Sequence, residues 1–211
     1  MKIYDFAPSP NARKVRFVAY ELGLEPTFVH VNIFQGGSRT PEFLALNPNG
    51  RIPVLEDGGS TLWESNAIIT YLASLHPEKG LLPTEPRPRA EVAQWLFWQS
   101  GDLAPAIGKV AFERVVKKFA GIGAPDEAIV QAGIRDFKVC AAVLDKALEG
   151  KEFLTGRLSV ADFAIVALLT IHELAGLDLA SYPALQAWYG RMVARESVRR
   201  GLADANAAMG R

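Results

Sequence analysis

The chain has 211 residues, 49% of them apolar, and its 23 Lys and Arg side chains balance 23 Asp and Glu. That length and apolar content can bury a full core as one large domain or two small ones. The charge balance argues against nucleic acid as the main partner, because neutralising phosphates needs a surplus of basic side chains. The single cysteine, Cys140, excludes an internal disulfide and a Cys-rich metal site and points to a reducing compartment.

Met1-Lys2 runs straight into a strand-like segment with no signal-peptide pattern, and the longest apolar stretch, 163–171, is far short of a membrane span. A soluble, cytoplasmic protein with no membrane partner is expected. Residues 2–6 form the first strand candidate. Pro10–Leu22 carries Val15, Val18, Ala19 and Leu22 at helical spacing, and Gly23 ends it. Residues 28–33 are β-branched and aromatic, a second strand, and a short helix follows over Pro41–Leu46. Residues 53–56 and Ser60–Trp63 flank Asp57-Gly58-Gly59, which is hairpin turn chemistry. Residues 65–75 place Ile68, Tyr71, Leu72 and Leu75 on one helical face. The order β-α-β-α-β-β-α predicts a thioredoxin-like α/β domain over residues 1–76.

Pro77, Pro83, Pro86 and Pro88 crowd the next stretch, which predicts a linker over residues 77–89. Beyond it every strong signal is helical, so residues 90–211 should form an all-helical domain. Residues 90–119 make one long helix or two, bent at Gly101 or Pro105. Residues 126–148 carry Phe137, Cys140, Ala141, Leu144 and Leu148 on one stripe, which places Cys140 in the core. Residues 159–174 begin with Ser159-Val160-Ala161-Asp162, a capping box with Asp in place of Glu, and continue apolar all round. Pro183 opens a further helix, and a last one covers 198–209. Arg195, Arg199 and Arg200, with Glu196 and Asp204 among them, read as a solvated helix face. His30, His76 and His172 are too far apart in sequence to suggest a metal site.

Three constellations in the first domain carry chemistry. The first is Pro8-Ser9-Pro10-Asn11, where strand meets helix. Ser9 either merely caps the helix or offers its hydroxyl to a substrate thiolate at the helix N-terminus. A thiol with pKa about 8.5 is mostly protonated at neutral pH, and moving it to about 6.5 takes roughly 2.7 kcal/mol. A helix N-terminus supplies ~0.3–1 kcal/mol, at most ~2. A hydrogen bond to a charged group adds about 1.5–3 kcal/mol. A hydroxyl at a helix start combines the two.

The second is Asn49-Gly50-Arg51-Ile52-Pro53-Val54-Leu55. Pro53 is either a plain edge-strand proline or follows a cis bond that presents the Ile52 N–H and C=O to an extended peptide ligand. The third is Trp63-Glu64-Ser65-Asn66. Ser65 can cap the following helix, whose free N–H groups form a carboxylate site, while Glu64 can take an ammonium. Together they suit the α-amino-acid end of a ligand.

At these residues the chain resembles the cytosolic glutathione transferases. The resemblance rests on NPNGRIPVLEDGGSTLWESNAIITYLA over residues 47–73, on Ser159-Val160-Ala161-Asp162-Phe163, and on Tyr182-Pro183-Ala184-Leu185-Gln186-Ala187-Trp188. It implies that Ile52, beside a cis Pro53, pairs with the cysteinyl backbone of glutathione, the co-substrate. It implies that Glu64 and Ser65 hold the γ-glutamyl end. Arg39 and Arg51 sit where relatives place polar or basic side chains near the glycyl carboxylate, or are solvated loop charges. Catalysis falls to Ser9, as in the plant and theta-like classes, with Asn11 assisting. Ser9-Pro10-Asn11 also resembles the Thr-Pro-Asn triplet of the bacterial nu class, which would imply disulfide reduction. Trp98, Phe112 and Phe119 are candidates to line an acceptor site or ordinary core aromatics. The resemblance implies a homodimer acting in detoxification on a small hydrophobic electrophile or a disulfide. The alternatives are glutathione-dependent disulfide or peroxide reduction and a non-catalytic scaffold on the same fold.

Overall fold

The structure, a computed structural model, describes residues 1–210. β1 (Lys2–Asp5), α1 (Pro10–Leu22), β2 (Thr27–His30), α2 (Pro41–Leu46), β3 (Val54–Asp57), β4 (Ser60–Trp63) and α3 (Ser65–Ser74) follow in the anticipated order. The sheet runs β2-β1-β3-β4, with β1 parallel to β2 and antiparallel to β3, and β3 and β4 closing as a hairpin. Gly58 (φ 55°) and Gly59 (φ 81°) supply the positive φ that a tight hairpin turn needs. This is the thioredoxin-like arrangement.

Helix α1 packs against α3, and between them Val15, Val18, Ile68, Ile69 and Leu72 are fully buried, each apolar side chain of this size contributing about 1.5–3 kcal/mol. The second strand stops at His30, opposite Asp5, instead of reaching residue 33. Asn32 ends it by accepting the Gln35 N–H at 3.1 Å, which winds Ile33–Gln35 into a 3-10 turn.

Contacts divide the chain into two compact units, Met1–Leu82 with Ala194–Arg211, and Pro83–Val193. Helix α4 (Pro86–Trp98) starts inside the segment anticipated as linker. Pro86 and Pro88 fall in its first turn, where backbone N–H groups have no intrahelical partner to lose. The helical course continues through a π turn (Gln99–Leu103), α5 (Ala104–Ala111), a second π turn (Phe112–Val116) and α6 (Lys117–Ala120). Gly101 lies in the first π turn and Pro105 just after it. Widening to i→i+5 bonding accommodates the ring of Pro105 against the carbonyl four residues back.

In α7 (Glu127–Leu148) Asp126 accepts the Ala128 and Ile129 N–H groups, and Cys140 lies on the buried stripe, where burial pushes its thiol up to about 11. Every residue of α8 (Val160–Leu169) is buried. It ends before Leu174, and α9 (His172–Ala175) and α10 (Pro183–Val193) complete this unit. The fully buried Asp162 carboxylate accepts the Ser159 N–H (3.0 Å) and O–H (3.0 Å), the Leu154 N–H (3.1 Å) and the Trp188 Nε1–H (3.1 Å).

The last helix, α11 (Glu196–Ala208), groups with the sheet, whereas the anticipated division placed it in the helical domain. It packs on α1: Asp204 accepts Arg16 Nη1 at 2.8 Å and the Tyr20 hydroxyl at 2.5 Å. Arg195 and Ser197 bond Glu21, and Arg200 bonds Glu25 while stacking on Tyr20. Two of the three arginines read as a solvated face are therefore paired with acids some 175 residues earlier. At Gly201 a Cβ would lie 2.6 Å from the Phe17 ring, so only glycine allows this approach.

Replacing Asp162 by Ala strands four buried donors. The expected loss is about 3–5 kcal/mol of stability, read as a lower urea midpoint at unchanged slope.

Candidate active site

β1 delivers the chain to a turn in which the Ser9 N–H bonds the Phe6 carbonyl at 2.8 Å. Ser9 occupies the N-cap position of α1, extended at φ −69° and ψ 130°, with Pro10 behind it. Its hydroxyl makes no capping bond, so the helix start does not consume it. Asn11, two residues after Ser9, is exposed.

The other end of the site is the start of α3. Ser65 is its first residue and not its cap, since Glu64 takes the N-cap position without a side-chain capping bond. Freed from that role, the Ser65 hydroxyl donates to Asn11 Oδ1 at 3.3 Å and joins the two helix starts. Glu64 has φ 70°, the only positive φ outside glycine among the described residues. Such a conformation costs of order 1–3 kcal/mol and concentrates at functional sites. It leaves the Glu64 side chain exposed beside Ser65.

Lys14 was not singled out by the sequence reading. It lies one turn after Asn11 on α1, is 1% exposed, and its Nζ donates to Ser65 Oγ at 3.0 Å and Asn66 Oδ1 at 2.6 Å. Burial pushes its ammonium down to about 7, with the Glu64 carboxylate pulling the other way. A helical Asn-x-x-Lys spacing was the available signal, but a lone lysine on a helix is ordinarily a surface charge.

The Ile52–Pro53 bond is cis, and the ladder between β1 and β3 begins only at Val54, paired with Tyr4. The turn before it is organised by buried Asn47, also unremarked in the sequence. Its Nδ2 donates to the Arg51 carbonyl at 2.7 Å, and its Oδ1 accepts the Asn49 N–H at 3.0 Å. Gly50 (φ 60°) passes so close to Arg39 that a Cβ there would sit 2.6 Å from Nη1. Arg39 Nη1 donates to the Asn49 carbonyl at 3.3 Å, while Arg51 is exposed. The structure thus joins Asn11 to Ser65, and Arg39 to the turn before Ile52. No hydrogen bond or ion pair among the described residues links Arg39 or Arg51 to the Ser65 cluster. Of the aromatic candidates, Trp98 stacks edge-on with Trp95 at 5.3 Å, and Phe112 and Phe119 are about half exposed.

Residues 3–80 match the glutathione S-transferase N-terminal domain and residues 103–196 the glutathione S-transferase C-terminal domain. The chain belongs to the glutathione S-transferase family. Glutathione S-transferase D7 of Drosophila melanogaster is 33% identical over 89% of this transferase and 82% of its own length. Disulfide-bond oxidoreductase YfcG of Escherichia coli is 34% identical over 95% of this chain and 94% of its own. The theta class glutathione S-transferase of Xanthomonas axonopodis pv. citri, solved with glutathione bound, superposes with a TM-score of 0.87 at 32% identity, over 95% of both chains. No helix of the transferase is long and apolar enough to cross a membrane, among the described residues.

The strain at Glu64 gives this transferase a measurable signature. Glu64→Gly is expected to raise thermal stability by about 1 kcal/mol, because glycine adopts positive φ without the Cβ penalty. Affinity for an amino-acid ligand should fall in the same variant.

Proposed function

We propose that the transferase ionises the thiol of glutathione at the start of α1 and directs the sulfur at a small electrophile. The Asn11–Ser65 bond carries this reading, because it holds the starts of α1 and α3 together as one surface. The first-turn N–H groups of α3 receive the γ-glutamyl carboxylate, and Glu64 receives the neighbouring ammonium. The Ile52 backbone pairs with the cysteinyl residue, and Arg39 and Arg51 face the glycyl carboxylate. The glutathione site lies in this reading within residues 1–76, and the transferase works as a homodimer.

At the sulfur, the Ser9 hydroxyl and the Asn11 amide donate to the thiolate while the α1 dipole favours the anion. Two donors and a helix start together reach the ~2.7 kcal/mol needed to bring the thiol near pKa 6.5. The proton leaves to water. The thiolate then forms a sulfur–carbon bond, and the leaving group departs with its electron pair.

Disulfide reduction is the second reading, favoured by the likeness to the Escherichia coli oxidoreductase. Here the glutathione thiolate attacks a disulfide sulfur and expels a thiolate, and a second glutathione resolves the mixed disulfide. Cys140 stands outside this chemistry, buried and held protonated.

Steady-state assays with a halonitrobenzene and with a small mixed disulfide test both readings. Ser9→Ala and Asn11→Ala are each expected to lower kcat/KM about 10- to 100-fold at neutral pH, the loss of one hydrogen bond to a charged group. Their deficit should shrink as pH approaches the free thiol pKa. Unaltered rates in both variants would remove these residues from the reaction.

A further inference from the structure

The Lys14 ammonium has three N–H donors and no acceptor. Ser65 Oγ lies 3.0 Å from Nζ and Asn66 Oδ1 2.6 Å from it, so both oxygens act as acceptors toward Lys14. Ser65 has a single O–H. With its oxygen accepting from Lys14, that proton is aimed at Asn11 Oδ1, 3.3 Å away. The Asn11 carbonyl is thereby engaged toward the protein, and its exposed amide turns the NH₂ group outward. A thiolate is an acceptor and is favoured by a donor. An Asn11 flipped end for end would present its carbonyl and repel the anion.

We propose that Lys14 is a positioning residue that fixes the direction of the hydrogen-bond chain through Ser65, so that Asn11 presents its NH₂ donor to the glutathione sulfur. The inference rests on the reading of the site given above. Its physical content is a polarity. Lys14 touches no reacting atom, yet a donor buried between α1 and α3 determines which end of an exposed amide faces the ligand. It also explains why a lysine occupies a position where an apolar residue would pack at lower cost in desolvation. The same ammonium holds Asn66, the second residue of α3, and so keeps the anchoring helix start in register with the start of α1.

The test is titration of the bound glutathione thiol by its ultraviolet thiolate absorbance, on the full-length protein and two variants. Lys14→Met keeps the stem and removes the donor. Asn11→Asp keeps an acceptor for Ser65 and removes the outward NH₂, at an exposed first-turn position where an acidic residue suits the helix dipole. In both variants the bound thiol is expected to titrate about one pH unit or more higher than in the wild type, with kcat/KM at neutral pH down roughly tenfold or more. Most of the fall should lie in kcat, since the backbone and carboxylate anchors remain. A Lys14→Met protein that folds and binds glutathione but titrates its thiol as the wild type does overturns the inference. If Lys14→Met does not fold, Asn11→Asp decides, and an unshifted thiol there overturns it equally. Wild-type protein that fails to bind glutathione at all overturns the underlying reading instead.

Discussion

A lysine that is almost wholly removed from water sits where α1 and α3 meet. Placing an ammonium there costs several kcal/mol in desolvation unless oxygen ligands replace the lost water. Ser65 Oγ and Asn66 Oδ1 supply those ligands, and Glu64 adds a compensating charge nearby. The consequence is geometric. The starts of two helices, whose first-turn N–H groups have no intrahelical partner, are held together. The rest of the first unit serves that constraint. The central strand β1 leads into α1, the hairpin leads into α3, and the cis Ile52–Pro53 bond lies just ahead of the ladder.

α1 is held on its far side by a second polar cluster. Arg16 lies between the buried Asp5 and Asp204 of α11, with its guanidinium 3.7 Å over the Phe28 ring. The bidentate Arg16–Asp5 pair closes β1 onto α1, and Asp204 brings the C-terminal helix onto the same face. Removing one member of such a buried pair leaves an uncompensated charge, so the cluster restricts how α1 can shift. In the proposed reading, rigidity there matters because donors at the start of α1 must meet the sulfur with hydrogen-bond precision.

Much of this was legible in the sequence, for identifiable reasons. Helices α1 and α7 announce themselves by apolar spacing and by Gly23 and Asp126 at their ends. The hairpin follows from Asp57-Gly58-Gly59, and the buried α8 from its uniformly apolar run. What the sequence concealed are interactions between distant residues. Nothing local distinguishes Lys14 from a surface lysine, or Asn47 from any loop asparagine. The partners of Arg195 and Arg200 lie on or just after α1, so a solvated face was the natural local reading. Prolines 86 and 88 signal a break when counted, yet stand in a first helical turn when positioned. Ser65 fits a cap by residue type, but the positive φ of Glu64 shifts the helix start so that its hydroxyl serves Asn11 instead.

The central claim is that glutathione is anchored at the start of α3 and activated at the start of α1. Calorimetric titration with glutathione of the wild type, Ser65→Ala and Ser9→Ala tests it most directly. The account predicts saturable binding by the wild type, retained by Ser9→Ala and lost or severely weakened in Ser65→Ala. A Ser65→Ala protein that binds glutathione as tightly as the wild type would contradict it.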